Sequence, residues 1–493
     1  MNPISHKCCP ASRTKFALGI AGWLFGCGAL PAQSRHLFLD PGFVQHGEGV
    51  SLSVNPPQSR EIVIRPDRPW EQFMITFYLT VLDEGGKLRM WYVCRDQDNV
   101  ANVAYAESAD GVHWIKPSLG LVDYHGSKDN NLVGLAFLEG NVFKDPHATD
   151  PNRRYVYVTT VFRGGGIYRF TSPDGLRWQR DEAPLLPFEA DSQNVTFWDE
   201  PLKKYVLFFR GWSPNDPRGH QRKLVRMETD RLDVPLKMKP LGLGRNSDAA
   251  RSPFIVDEAP TVLACDEKDP DDTDVYTNAI QRYPLSPDWY VGFPSLYRHT
   301  AKTGNDGRTE GQFISSTDGI SWNRYNRQAY TQPGLVGSES GNMVYMGVGL
   351  VIRGDEIWQF GTGFRTTHGD VEGRKQKTDG AIFRYVQRFD GFVSLDFSSA
   401  GGSGWTAPVA VDGSALFLNL DTGAMGNLRV GLCDQTGREI PGFGVDDCDV
   451  LKVNSTRAVV TWHGHQDTSA LRGQKVQVAF RGARTKLYSL RFE

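Results

Sequence analysis

Ser108-Ala109-Asp110-Gly111-Val112-His113-Trp114, Ser172-Pro173-Asp174-Gly175-Leu176-Arg177-Trp178 and Ser316-Thr317-Asp318-Gly319-Ile320-Ser321-Trp322 are three copies of one pattern, Ser-x-Asp-Gly-x-x-Trp. Each follows an apolar, aromatic-rich run, so each sits where a strand ends. Asp-Gly favours a hairpin turn, because Gly accepts positive φ and Asp bonds its own backbone. The Trp then packs the returning strand. The first two copies are 64 residues apart, the third lies 144 further on, and a degenerate copy, Thr229-Asp230-Arg231-Leu232, falls between. A small β-unit repeated at such spacing predicts a β-propeller.

Five units of three strands can be laid out, with the repeated turn leading into a fourth. Unit one has strands at 70–82, 87–94 and 103–107; unit two at 141–143, 155–162 and 166–171. Unit three has them at 194–198, 205–210 and 223–227; unit four at 275–283, 289–297 and 311–315; unit five at 341–352, 356–364 and 381–389. Residues 36–69 supply a lead-in strand and a candidate to close the ring. After Gly391 the texture changes to short alternating strands separated by Gly-rich turns. The expected fold is all-β: a five-bladed β-propeller over 36–396 followed by a C-terminal β-sandwich over 397–493.

The bulk composition agrees. The chain has 493 residues, 52 Gly, 28 Pro and 11% aromatics, with few long helical patterns. A net charge of −2 argues against nucleic acid or an anionic membrane surface as partner. Lys7, Arg13 and Lys15 precede an apolar stretch from Phe16 to Leu30, with small residues at Ala29 and Ala32. Residues 1–32 therefore read as a signal peptide, and the expected location is exported, periplasmic or secreted. Lipidation at Cys27 is the rival reading, and would be the one membrane attachment. Of Cys94, Cys265, Cys433 and Cys448, none shows a C-x-x-C spacing, so no zinc site is expected. Cys433 and Cys448 are either a disulfide across a hairpin or two buried thiols.

In a four-stranded blade the start of the innermost strand and the end of the second share one face of the disc, and the repeated Asp-Gly turn lies on the other. The repeat is thus structural. On the opposite face fall Glu71, Asp145, Asp191, Asp274 and Glu339 at the starts of innermost strands, and Arg95, Arg163, Arg210, His299 and His368 at the ends of second strands. Glu310 adds an acid in unit four. A funnel of carboxylates suits glycosidic chemistry, which needs one carboxylic acid to protonate the leaving oxygen and one carboxylate to activate water or attack carbon. Crowding raises the pKa of one of them. The Arg and His side chains would bind hydroxyls or acid groups of a sugar, and Trp70, Tyr276 and Trp198 offer stacking faces. The stretch Asp266 to Asp274 has the composition of a calcium loop, but its oxygen spacing matches no calcium motif, and a solvated loop is expected. No metal or other cofactor is expected.

Phe143-Lys144-Asp145-Pro146 resembles the five-bladed propeller glycoside hydrolases of families 32 and 43, whose Arg-Asp-Pro aspartate stabilises the transition state. The chain also resembles bacterial exported proteins described as family 32-like. That resemblance rests on Met90-Trp91-Tyr92, Tyr105-Ala106-Glu107-Ser108 with Asp110-Gly111, Asn194 through Trp198-Asp199, and Leu487-Tyr488-Ser489. It covers most of residues 60–493. It departs in two places. The first-blade Asn-Asp-Pro-Asn nucleophile motif has only Leu39-Asp40-Pro41-Gly42 as an echo, upstream of unit one, and the third-blade Glu-Cys motif is absent, Asp191 being the nearest acid.

The resemblance implies an exported glycosidase acting on an oligo- or polysaccharide. Asp145 takes the orienting role, while Glu71 and Asp191 share the acid and base or nucleophile roles. Arg95, Arg163, Arg210, Asp274, Tyr276, His299, Glu310, Glu339 and His368 are the expected substrate contacts. Two other readings stand beside it: a non-catalytic glycan-binding propeller, and a phosphate-dependent phosphorylase of the same fold.

Overall fold

The computed structural model describes residues 35–136, 139–161, 166–187, 189–191, 193–213, 221–237, 259–300 and 305–493. The expected signal peptide 1–32 with Cys27, and Arg163, lie outside the described residues. The described residues are nearly all β, with half of them in strands and 4% in helix.

Second strands show why. In Lys87–Arg95 nearly every residue is buried, so the sheet is covered on both faces. Alternate side chains point to opposite faces of a strand, and they feed two different cores. Leu88, Met90, Tyr92 and Cys94 pack with Val351, Phe360 and Ile382. Trp91 and Val93 pack with Val142, Tyr155 and Tyr157. The next sheet repeats the pattern: Val156 and Val158 pack against Tyr205, Leu207 and Phe209, while Val206 and Phe208 turn to Tyr290 and Ile314. The apolar runs thus glue each sheet to its neighbours on both sides.

The sheets are antiparallel. Met74–Glu84, Lys87–Arg95 and Ala101–Ser108 form the first. Asn141–Lys144, Tyr155–Val161, Gly166–Ser172 and Gln179–Arg180 form the second. Val195–Asp199, Lys204–Ser213, Gln221–Thr229 and Thr261–Leu263 form the third. The fifth has Met343–Met346, Glu356–Phe364 and Ala381–Arg388, closed on its outer edge by Ser59–Ile64.

The fourth departs from the expected continuous strands. It divides into Thr273–Val275 with Ser295–His299 and Gly307–Gln312, and Gln281–Tyr283 with Ser286–Gly292 and Ile314–Ser316. Pro294 sits at the break and has no N–H to donate to a ladder.

The innermost strands meet around an axis. Asn141 Nδ2 donates to Thr196 O, Asn278 Nδ2 to Gln193 O and Thr309 Oγ1 to Val344 O. Thr80 bridges Val348, and Val142 N donates to Thr80 Oγ1. The last sheet therefore returns to the first.

The repeated turns are inter-sheet clamps. In each copy the Ser hydroxyl accepts from the Asp and Gly N–H groups, and the Asp carboxylate accepts from the next two N–H groups. The glycines hold φ of 74°, 75° and 70°. Gly175 lies against Trp91 of the first sheet, whose Nε1 donates to its carbonyl at 2.6 Å. Gly111 lies against Trp358 of the fifth sheet.

The C-terminal region differs from the expected 397–493 boundary. Two further sheets enclose one apolar core that includes Leu418, Leu432, Val478 and Leu490. Arg35–Leu37, Val44–Glu48 and Val50–Val54 belong to these sheets, as does Val393–Phe397. Phe38 finds its core there rather than in the ring, and Leu52 packs against both. Cys433 and Cys448 are free buried thiols.

Candidate functional site

Strand direction decides which side chains share the face opposite the clamps. The innermost strands begin there at Met74, Asn141, Val195, Thr273 and Met343, and their preceding segments line the mouth of the ring.

Asp191 is placed there by a strained segment. Asp191 and Gln193 adopt φ of 62° and 28°, a region that non-glycine residues rarely occupy. Gln193 Oε1 accepts from Asn278 N and Ala279 N, and Asp191 O accepts from Asn194 Nδ2, so bonds to two sheets hold the segment. Arg210 Nη1 donates to Asp191 Oδ2 at 2.6 Å, and its Nη2 donates to Tyr276 O at 2.6 Å. The guanidinium lies over the Tyr276 ring, 4.2 Å from its centroid. Burial works against the charge on Arg210, but Asp191, Tyr276, Tyr78 and Glu139 together outweigh it and raise its pKa.

Glu139 completes the centre and was absent from the sequence candidates. It precedes Gly140 and Asn141 at the head of the second sheet. Its Oε2 is buried without a hydrogen-bond partner. Burial first, and then the charge of Asp191, push its pKa well up, against the opposing pull of Arg210 and Arg95. Two neighbouring carboxyl groups therefore sit in opposite environments. Asp191 is bonded to a guanidinium, while burial and the neighbouring Asp191 favour Glu139 as the neutral acid.

Tyr78 reaches the same centre from a register shift between Ile75 and Leu79, a bulge that re-aims side chains.

A second group adjoins it. Arg222 Nη1 donates to Asp274 Oδ2 at 2.6 Å, and His299 Nε2 lies 3.0 Å from the same oxygen. His368 Nδ1 faces Asn305 O at 3.2 Å, so it carries the proton, and Nε2 accepts from the Tyr276 hydroxyl at 2.9 Å. Burial and the nearby Arg222, Arg374 and Arg210 lower the His368 pKa to about 4. Asp191, Arg210, Tyr276, Asp274, His299 and His368 are thus brought together, and Arg95 approaches Glu139 from the first sheet.

Other sequence candidates fall elsewhere. Glu71 is fully buried and turned into the packing behind the first sheet. It accepts from Tyr92 Oη at 2.7 Å, from the N–H groups of Asp67 and Arg68, and from Lys116 Nζ at 2.8 Å. These contacts make it a structural ion pair. Asp145 follows the end of its strand, not the start. It therefore lies on the clamp face, where it accepts from Tyr205 Oη at 2.8 Å and from His147 N at 2.9 Å.

Glu339 stands at the rim, 3.7 Å from Arg65. Glu310 lines a separate cavity of about 590 Å³ with Arg298 and Arg308. Trp70 is buried and bonded to Asn131, and Trp198 packs on Tyr205 at the clamp face, so of the three stacking candidates Tyr276 is at the mouth. The acidic loop is clamped by Arg324 and Arg327, which each pair with Asp269 at 2.7 Å. Among the described residues no group of three or more His, Cys, Asp or Glu is placed to hold a metal ion.

No family model matches the chain. An uncharacterized protein of Mycobacterium tuberculosis strain H37Rv is 30% identical over 141 residues, which is 27% of this chain and 42% of the relative. The match thus spans about two-fifths of the length of the curated relatives. Among solved structures, one described as a glycoside hydrolase overlaps at a TM-score of 0.43 and 13% identity, covering 68% of this chain and 92% of its own. An N-acetylgalactosamine deacetylase from F. plautii, in complex with blood group B trisaccharide, overlaps at 0.41 and 13%, covering 69% and 96%. A family 43 arabinoxylan arabinofuranohydrolase from Bacillus subtilis overlaps at 0.35 and 11%, covering 86% and 96%.

Proposed function

We propose that the chain is an exported glycoside hydrolase, built as a five-bladed β-propeller with an appended β-sandwich. In this reading Glu139 is the general acid and Asp191 the carboxylate that activates water or attacks the anomeric carbon. The observation that carries it is the Glu139–Asp191 pair at the heads of adjacent innermost strands, one buried without a hydrogen-bond partner and one bonded to Arg210. Glycoside cleavage needs one protonated and one ionised carboxyl group, and burial favours Glu139 as the first. Tyr276 and Tyr78 supply aromatic surface beside the pair, and Arg210 holds Asp191 in one orientation. The leader-like composition of residues 1–32 supports export.

The test is sugar release from plant and algal polysaccharides by the purified mature chain, with and without phosphate, repeated with Glu139→Gln and Asp191→Asn. Turnover lost in both variants is expected. Full activity in either variant overturns the assignment. Binding without turnover returns the glycan-binding reading, and activity that requires phosphate returns the phosphorylase.

A further inference from the structure

Asn194 lies between the two carboxyl residues. Its backbone N–H donates to Glu139 O, and Gly140 pairs with it across the gap between the second and third sheets. Its side-chain Nδ2 faces three acceptors: Asp191 O at 3.0 Å, Thr160 Oγ1 at 3.1 Å and Glu139 O at 3.2 Å. The two N–H bonds of the amide are shared among these oxygens. Thr160 Oγ1 in turn donates to Asp191 O at 3.3 Å. One buried amide thus ties the backbone of Glu139 to that of Asp191, with Thr160 of the strand Tyr155–Val161 as a brace. Gln193, by contrast, fixes the same segment to the fourth and fifth sheets, through Asn278 N, Ala279 N and Met346 O.

This geometry is held at a cost. A Cβ on Gly140 would lie 1.8 Å from Val158 O, so only glycine lets the two sheets approach here. Asp191 and Gln193 both hold left-handed φ. Asn194 Oδ1 is buried without a hydrogen-bond partner. An apolar side chain of the same shape would serve packing without leaving that oxygen orphaned. Backbone strain and an orphaned polar atom gathered around one amide mark a position kept for geometry.

Taking the glycosidase reading as its basis, we propose that Asn194 is a positioning residue, whose amide sets how closely the carboxyl groups of Asp191 and Glu139 approach each other. The charge of Asp191 is, after burial, the largest cause that raises the Glu139 pKa. The other groups facing Glu139 are Glu189, Arg210 and Arg95, with the tyrosines Tyr78, Tyr157 and Tyr276. Asn194 carries no charge, so it acts on Glu139 through the distance to Asp191.

The test is the titration of Glu139 in the full mature chain. It is read from the carboxyl carbon by NMR with labelled glutamate, and assigned with Glu139→Gln. Asn194→Ser should lower the midpoint by about one pH unit, the size of a close charge interaction. Thr160→Val, a nearly isosteric change in the brace, should lower it less and in the same direction. In an Asp191→Asn background neither substitution should lower it further, because the charge whose distance they control is gone. Gly175→Ala, a remote destabilisation at a clamp turn, should leave it in place. Turnover by Asn194→Ser should fall about a hundredfold in kcat with KM unchanged, as for a misplaced acid and base.

An unchanged midpoint in both Asn194→Ser and Thr160→Val, or an equal drop with and without Asp191, overturns the inference. Its fate is separable from that of the glycosidase. A shifted midpoint with no sugar release by the wild type in any assay leaves the positioning role standing without the enzyme. Turnover lost in Glu139→Gln and Asp191→Asn, with no midpoint shift in Asn194→Ser or Thr160→Val, does the reverse.

Discussion

Arg210 Nη1 donates to Asp191 Oδ2 at 2.6 Å, joining a buried guanidinium of the third sheet to a carboxylate held in a left-handed backbone conformation. That pair holds one carboxylate in a fixed orientation beside Glu139.

Glu139→Gln and Asp191→Asn should each lower kcat/KM by about a hundred- to ten-thousand-fold, the usual contribution of a positioned acid or base. Circular dichroism should be unchanged, since neither substitution alters the ring's packing. The alkaline limb of the wild-type pH profile should report Glu139, above the ordinary carboxylate range. In Asp191→Asn the loss of a neighbouring negative charge should move that limb to lower pH. The profile of residual activity is the check.

Glu139 also links function to stability. Its folded pKa lies above its unfolded value, so the folded state holds a proton that the unfolded state releases. Stability is then highest below the unfolded pKa and falls as pH rises through the folded value. Glu139→Gln should therefore melt higher than wild type at pH 8, with the gap closing toward pH 4. Thermal denaturation across that range reads this directly.

His368 behaves with the opposite sign. Its pKa of about 4 lies below the usual 6.5, so between those values the unfolded chain binds a proton that the folded chain refuses. Stability should fall as pH drops from 6.5 toward 4, and His368→Gln should flatten that slope. The imidazole resonances of His368 should show no titration between pH 5 and 8.

Glu71 and Asp145 separate structure from chemistry. Lys116→Met leaves Glu71 buried without its cation and should cost about 3–5 kcal/mol by denaturant unfolding. Asp145→Asn should leave kcat/KM within about twofold, because its bonds to Tyr205 and His147 lie on the clamp face. A large loss of activity there would return Asp145 to the site.

Gly175→Ala forces a left-handed φ on a residue with a Cβ and pushes that atom to 2.8 Å from Trp91. The φ alone costs roughly 1–2 kcal/mol. Unfolding should shift by at least that much, with kcat unchanged.

The strands were legible because the chemistry that makes them is local. Aromatic and branched residues flanked by Asp-Gly turns specify Lys87–Arg95 and Glu356–Phe364 within one or two residues. The fourth unit was less so, because Pro294 breaks a run whose apolar pattern continues through it. At the mouth, Arg210, Tyr276 and His368 follow from the positions of strand ends. Glu139 does not, because Asn141–Lys144 is only four residues long. Acids before and after so short a strand look alike in sequence, and they emerge on opposite faces.

By itself, then, the sequence determined the β character, the repeat, the clamp turns and the set of acids near strand ends. Each of these depends on a residue and its near neighbours. Only the tertiary structure decided that Glu139 rather than Asp145 joins Asp191, that Glu71 is locked to Lys116, and that residues 35–54 complete the C-terminal sheets. Those outcomes depend on strand direction, burial and partners far along the chain, where the free energy of desolvating a charge is set by what the fold places beside it.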